Sequence, residues 1–275
     1  MRIAIGQMKV AALDRPADNM PEACSLARQA AAGGARLLIL PEGCLTGNAL
    51  SRAERQPSMP AEPGVLEPLT AIARETGLTI CAGFATPFAT PFDRMFNLVH
   101  AVIQPEGPVL FQHKAARAST EPPFIKAWPD PVRVPFVVDG MTVVIAICSE
   151  FANSAVMAEI RRCQPDLLLH PSAGSMKPDE VWTPASAGTP PVLGFRDKSR
   201  QVVDRAAAGN PSLGIPRAGA NPVGFDGETW WPGNCYALGN GTEVLCWVEG
   251  ENRPEHQVSR LGFADIPETG TERGI

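Results

Sequence analysis

An α/β sandwich of mixed sheets covered by helices is the architecture this sequence predicts, and two patterns carry the prediction. In the first third of the chain, short apolar runs of strand length alternate with segments whose apolar residues recur at helical spacing. Further on, two pairs of apolar runs are joined only by turn residues, Gln104 to Gly107 and Asp139-Gly140, which calls for antiparallel hairpins beside the helix crossovers. A purely parallel doubly wound sheet has no place for them.

Taken in order, Arg2 to Gln7 reads as a first core strand. Asn19 to Ala32 places Met20, Ala23, Cys24, Ala27, Ala30 and Ala31 on one helical face, with Asn19 as N-cap and Gly33-Gly34 as the stop. Arg36 to Leu40 follows as a buried strand, Val65 to Ala73 as a helix ending at Gly77, and Leu78 to Phe84 as another strand. Phe96 to Ile103 and Val109 to His113 form one hairpin, and Val132 to Val138 with Thr142 to Ile147 a second. Ala155 to Cys163 is helical and Leu167 to His170 a strand; Val202, Val203, Ala206 and Ala207 mark a later helix ending near Gly209. Thr242 to Val248 and Arg260 to Ala264 are closing strands. Pro171 to Pro191, with Trp182, has no periodicity and is a candidate active-site lid or a surface loop.

With 275 residues, 44% of them hydrophobic, the chain can bury one large core, so a single domain over residues 1–275 is expected. A net charge of −5 without a basic run argues against nucleic acid as a partner. No apolar run is long enough to cross a bilayer, and no secretion signal precedes the first strand, so a soluble cytoplasmic protein is expected. The odd number of cysteines, seven, lacks any C-x-x-C pair and suits reduced thiols; four scattered histidines show no ligand spacing, so no metal is expected.

Three residues stand where chemistry is plausible. Glu42 lies just past the end of the strand Leu37 to Leu40, and ligands of open α/β sheets sit beyond such ends. Cys148 closes the run Val143 to Ile147 at a strand-to-loop turn, where the next N–H, that of Ser149, can face a developing oxyanion. Lys114 ends the second strand of the first hairpin. Each has a blander reading taken alone: a solvated loop carboxylate, a packed thiol and a surface lysine. Gathered in one cleft, the lysine would favour the thiolate and stabilise negative charge on a substrate oxygen.

Glu42, Lys114 and Cys148 stand in the order and approximate spacing of the Glu-Lys-Cys triad of the nitrilase superfamily, and the resemblance spans about the whole chain. Gly34 to Glu42 with Thr46-Gly47 looks like that family's first motif, and Phe96-Asn97 through Glu106-Gly107 to His113-Lys114 resembles its second. Ile147-Cys148-Ser149-Glu150 with His170-Pro171-Ser172-Ala173 is similar to the nucleophile motif and the strand end after it, and Ala220-Asn221-Pro222-Val223-Gly224 resembles the later A-N-x-x-G strand. Glu121 matches a second glutamate that many members place near the substrate, in a supporting role. Two positions depart: Ser149 replaces a common aromatic residue, and Arg117 a leucine.

The resemblance implies a four-layer α-β-β-α sandwich, subunits paired as homodimers or higher oligomers, and cofactor-free hydrolysis of a non-peptide carbon-nitrogen bond of a small molecule through a Cys148 thioester. A nitrile hydrolase or acyltransferase using the same residues is the alternative, and a catalytically silent binding protein of the same fold is the reading from a different class.

Overall fold

The computed structural model describes residues 1–88, 94–175, 203, 204, 206, 207, 214–249 and 258–267. Six strands form one sheet in the order β14 (Arg260–Asp265), β1 (Arg2–Gln7), β2 (Leu37–Ile39), β3 (Thr79–Pro87), β4 (Phe96–Ile103) and β5 (Leu110–His113). A second sheet of six runs β13 (Val244–Val248), β12 (Cys235–Leu238), β9 (Arg217–Ala220), β8 (Leu167–Pro171), β7 (Met141–Ile145) and β6 (Phe136–Val138). In each sheet three parallel strands, β1-β2-β3 and β7-β8-β9, are flanked by antiparallel neighbours, so the expected mixture is present. A separate ribbon pairs β10 (Val223–Phe225) with β11 (Trp230–Pro232).

Side-chain alternation along these strands builds the layers. Ile3, Ile5, Leu37 and Ile39 of the first sheet meet Val143, Ile145, Leu167 and Leu169 of the second in one core between the sheets. The intervening Ala4, Leu38, Ile80 and Ala82 face the other way, onto α1 (Asn19–Ala32) and α2 (Glu67–Thr76), while Val144 and Leu168 meet Val156 and Ile160 of α3 (Ser154–Cys163). The result is the four-layer sandwich, with strands apolar on both faces because both faces are covered.

Some expectations shift. Asn19 does not cap α1: it is the helix's first residue, buried, and its Oδ1 accepts from the Ala11 N–H at 2.7 Å. The strand expected from Val132 begins only at Phe136, because Arg133 turns its side chain into the interior and Pro135 has no N–H for a ladder. The strand expected to run to Ile147 stops at Ile145, and a 3₁₀ turn starts at Cys148. Val203, Asp204, Ala206 and Ala207 are helical, Val203 and Ala207 packing on Tyr236 and Leu238; Val202 and Gly209 lie outside the described residues, as does residue 176 onward of the candidate lid, Trp182 included. No helix among the described residues is long and apolar enough to cross a membrane.

Candidate active site

β2 and β7 end at the same edge of the stacked sheets, and each leads into a tight turn. After β2 the segment Pro41–Gly43 seats directly on Gly83 of β3: a Cβ there would lie 2.7 Å from the Pro41 oxygen and 2.8 Å from the Gly43 nitrogen. Beside it, Nε2–H of His100 donates to the Leu40 carbonyl at 3.1 Å, and burial holds that ring near pKa 4, hence neutral. Glu42, 2% exposed, is thereby fixed just past the sheet.

Lys114 follows β5 with its backbone held on both sides. Its N–H donates to the Leu98 carbonyl at 2.8 Å, and its carbonyl accepts from Asn97 Nδ2 at 2.9 Å and the Trp128 N–H at 2.7 Å. The ammonium, 1% exposed, donates to Glu42 Oε1 at 2.7 Å and to Glu121 Oε1. Burial works against its charge, but Glu42, Cys148 and Glu121 outweigh that cost and hold it above the usual lysine range. Glu121 is steadied in turn by the Ala118 N–H, 2.8 Å from Oε2.

Cys148 opens the 3₁₀ turn Cys148–Ala152 with φ at 49°, a left-handed conformation unusual for a side chain larger than glycine's. Its carbonyl accepts from Nε2–H of His170 at 3.0 Å, which leaves Nδ1 to accept from the Tyr236 hydroxyl at 3.1 Å; burial keeps this ring neutral too, near pKa 4. The thiol lies close enough to the Glu42 carboxylate for each to shift the titration of the other. Burial, then Glu42, push the thiol up to about 12, more than Lys114 pulls it down. Lys114 does favour the thiolate, as expected, but burial and Glu42 outweigh it. The protonated thiol faces a carboxylate that burial, helped by Glu121 against Lys114, raises above the ordinary range. That pairing suits proton transfer from sulfur to Glu42 at the moment of attack.

The side-chain ties that hold these turns together were not legible in the sequence, although Ser149, Glu150 and Asn221 stood in its motifs. Glu150, fully buried, accepts from the Ala115 N–H at 2.5 Å, the Ile147 N–H at 2.7 Å and the fully buried Arg133 at 2.8 Å. One carboxylate thus ties the residue after Lys114 to the residue before Cys148. Ser149 adds a second tie, Oγ donating to the Ala116 carbonyl at 2.7 Å. Glu150 was visible as part of the nucleophile motif, but nothing in the sequence pointed to Arg133 as its partner. Asn221, of the A-N-x-x-G strand, pins the loop after β8: Gly174 N–H donates to its Oδ1 at 2.7 Å and its Nδ2 donates to the Gly174 carbonyl at 3.1 Å.

Glu42, Glu121 and Cys148 open on a cavity of about 310 Å³, walled also by Asn48, Ile125, Ala173 and Trp231. Trp231, on β11, is aimed by Asp226, whose Oδ2 accepts the indole N–H at 2.8 Å. That volume suits a small molecule.

The sequence profile of the carbon-nitrogen hydrolases matches residues 2–150, more than half of the chain. The chain belongs to the carbon-nitrogen hydrolase family. Among relatives of this carbon-nitrogen hydrolase, the hydrolase Rv0480c of Mycobacterium tuberculosis is 29% identical over 244 residues, covering 83% of this chain and 80% of its own. Among solved structures, a cysteine-to-alanine variant of a Nesterenkonia amidase from the nitrilase superfamily matches with a TM-score of 0.71 at 19% identity, over 97% of this chain and 90% of that one. A second form of that amidase, carrying the acetamide moiety of fluoroacetamide covalently at its active-site cysteine, also matches with a TM-score of 0.71, at 18% identity and the same coverage. These likenesses establish the nitrilase-type fold of this carbon-nitrogen hydrolase.

Proposed function

We propose that the enzyme hydrolyses the amide bond of a small molecule through a thioester on Cys148. The observation that carries the reading is the meeting of the Cys148 thiol, the Glu42 carboxylate and the Lys114 ammonium beside one small cavity. Sulfur attacks the amide carbon as the S–H proton passes to Glu42; Lys114 and the Ser149 N–H, which lies in the first turn of a 3₁₀ helix and so has no partner within it, steady the tetrahedral oxyanion. The C–N bond then breaks and protonated Glu42 gives its proton to the leaving ammonia or amine. Water, deprotonated by the same carboxylate, attacks the thioester; the acid leaves and the proton returns to sulfur. Glu121 keeps the ammonium oriented and charged throughout.

The Nesterenkonia protein, a fold relative described as an amidase whose active-site cysteine carries the acetamide moiety of fluoroacetamide, favours amides over nitriles as the starting point. Ammonia release from a panel of small primary amides tests the proposal: Cys148→Ala should lower it by at least about a thousandfold. Turnover that survives this substitution overturns the mechanism.

A further inference from the structure

The thioester chemistry uses Glu42, Lys114, Cys148 and Glu121, and leaves aside several polar side chains of the cavity wall, of which Asn48 stands out. Asn48 is 8% exposed, lines the cavity beside Glu42 and Cys148, and its Oδ1 is buried with no hydrogen-bond partner among the described residues. Its position is built rather than incidental. The amide lies against the Cα of Gly43, where a Cβ would fall 2.2 Å from Oδ1, and Gly43 has a φ of 65° that suits glycine. Gln56 holds the residues on either side, accepting from the Ala49 N–H at 2.9 Å and donating to the Gly47 carbonyl at 3.0 Å. A buried carbonyl oxygen held so firmly is disfavoured until something donates to it.

The wall around it mixes the polar Gln56, Thr120 and Ser175 with apolar surface. Leu98 and Ile125 contribute hydrocarbon, and Trp231 presents its ring because its only donor is engaged by Asp226. Among the lining side chains, Asn48 is the one with a buried oxygen that no described residue satisfies, and such an acceptor reads a donor on a ligand. We propose that Asn48 selects the substrate, accepting a hydrogen bond from a hydroxyl or N–H carried on the acyl part of a small amide. This rests on the amide-hydrolysis reading above. A site that pairs a donor of its substrate discriminates strongly against the analogue lacking it, because its own acceptor is then left buried and unpaired.

The test compares kcat/KM for ammonia release from 2-hydroxypropanamide and 3-hydroxypropanamide with that from propanamide, in the wild type, Asn48→Leu and Asn48→Asp. The wild type should prefer one of the hydroxylated amides by about 10- to 100-fold. Asn48→Leu should bring that ratio close to one, and Asn48→Asp, which keeps an oxygen acceptor over Gly43, should retain a preference for the hydroxylated amide. A wild-type ratio near one, or a preference that survives in Asn48→Leu, overturns the assignment. Failure of the underlying reading looks different: no amide releases ammonia, or release persists in Cys148→Ala, and either result removes this inference with it.

Discussion

Replacing Gly83 with alanine puts a methyl group into the seat of the turn that presents Glu42. The added carbon would lie 2.6 Å from His100 Cε1, 2.7 Å from the Pro41 oxygen and 2.8 Å from the Gly43 nitrogen. Two of those atoms are backbone, so no side-chain rotation relieves them. Restoring an ordinary van der Waals separation requires the turn to move by about 0.6 to 0.7 Å. The Lys114–Glu42 hydrogen bond, 2.7 Å in the native protein, lengthens with it. Misplacing a reacting group by about 1 Å costs roughly 10²-fold, so kcat/KM on an amide substrate should fall about 10- to 100-fold. Stability should change less: overpacking costs about 1–3 kcal/mol, partly offset by the roughly 0.5–1 kcal/mol that alanine gains over glycine in a strand. The assay measures kcat/KM and the unfolding midpoint together, with Gly64→Ala as control, since a Cβ at Gly64 meets nothing within 4 Å. A Gly83→Ala enzyme matching the wild type in kcat/KM would refute the claim that this contact sets the position of Glu42.

Other perturbations probe the supporting groups. Glu150→Gln strips the fully buried Arg133 of its counter-charge and should cost about 3–5 kcal/mol of unfolding free energy in denaturant titration; a loss below about 1 kcal/mol would show that the pair is not structurally important. Because Glu121 raises the Glu42 pKa, Glu121→Gln should move the acid limb of the kcat/KM profile to lower pH, and an unmoved or raised limb contradicts the electrostatic account. His100 is held near pKa 4 in the fold against an ordinary 6.5, so the unfolded chain takes up a proton first as pH falls. Its contribution is present above pH 6.5 and lost progressively down to pH 4, by up to about 3 kcal/mol. His100→Gln, which keeps a donor for the Leu40 carbonyl, should flatten the fall in stability across that window, and an identical slope in both proteins would count against it.

The layered fold was legible because strand length and turn chemistry survive in the sequence: Leu37 to Ile39 and Val143 to Ile145 are apolar throughout, bounded by turn residues. The same uniformity hid which residues face the helices. Where every position is apolar, the alternation that sends Ile39 into the inter-sheet core and Leu38 onto the helices leaves no mark. The three reactive residues were legible as strand-end groups, Glu42 after β2 and Lys114 after β5 of one sheet and Cys148 after β7 of the other; that the two sheets stack to bring them together was not. Burial was not legible, so the sequence showed the pull of Lys114 on the thiol but not the desolvation that outweighs it at Cys148. Arg133 and Glu150 are charged residues in irregular segments, the usual description of surface groups, and only their burial together reveals the pair. Asn48 was equally silent, since its meaning depends on Gly43 beneath it and Gln56 beside it.

Covalent attachment of the acyl group to Cys148 can be read directly from the mass of the protein. Acid quenching during turnover of a small amide, followed by intact-mass and peptide analysis, should show one acyl group in place of the thiol hydrogen on the Cys148 peptide, vanishing as substrate is exhausted. Steady ammonia release with that peptide unmodified, and with equal turnover by Cys148→Ala, would contradict it.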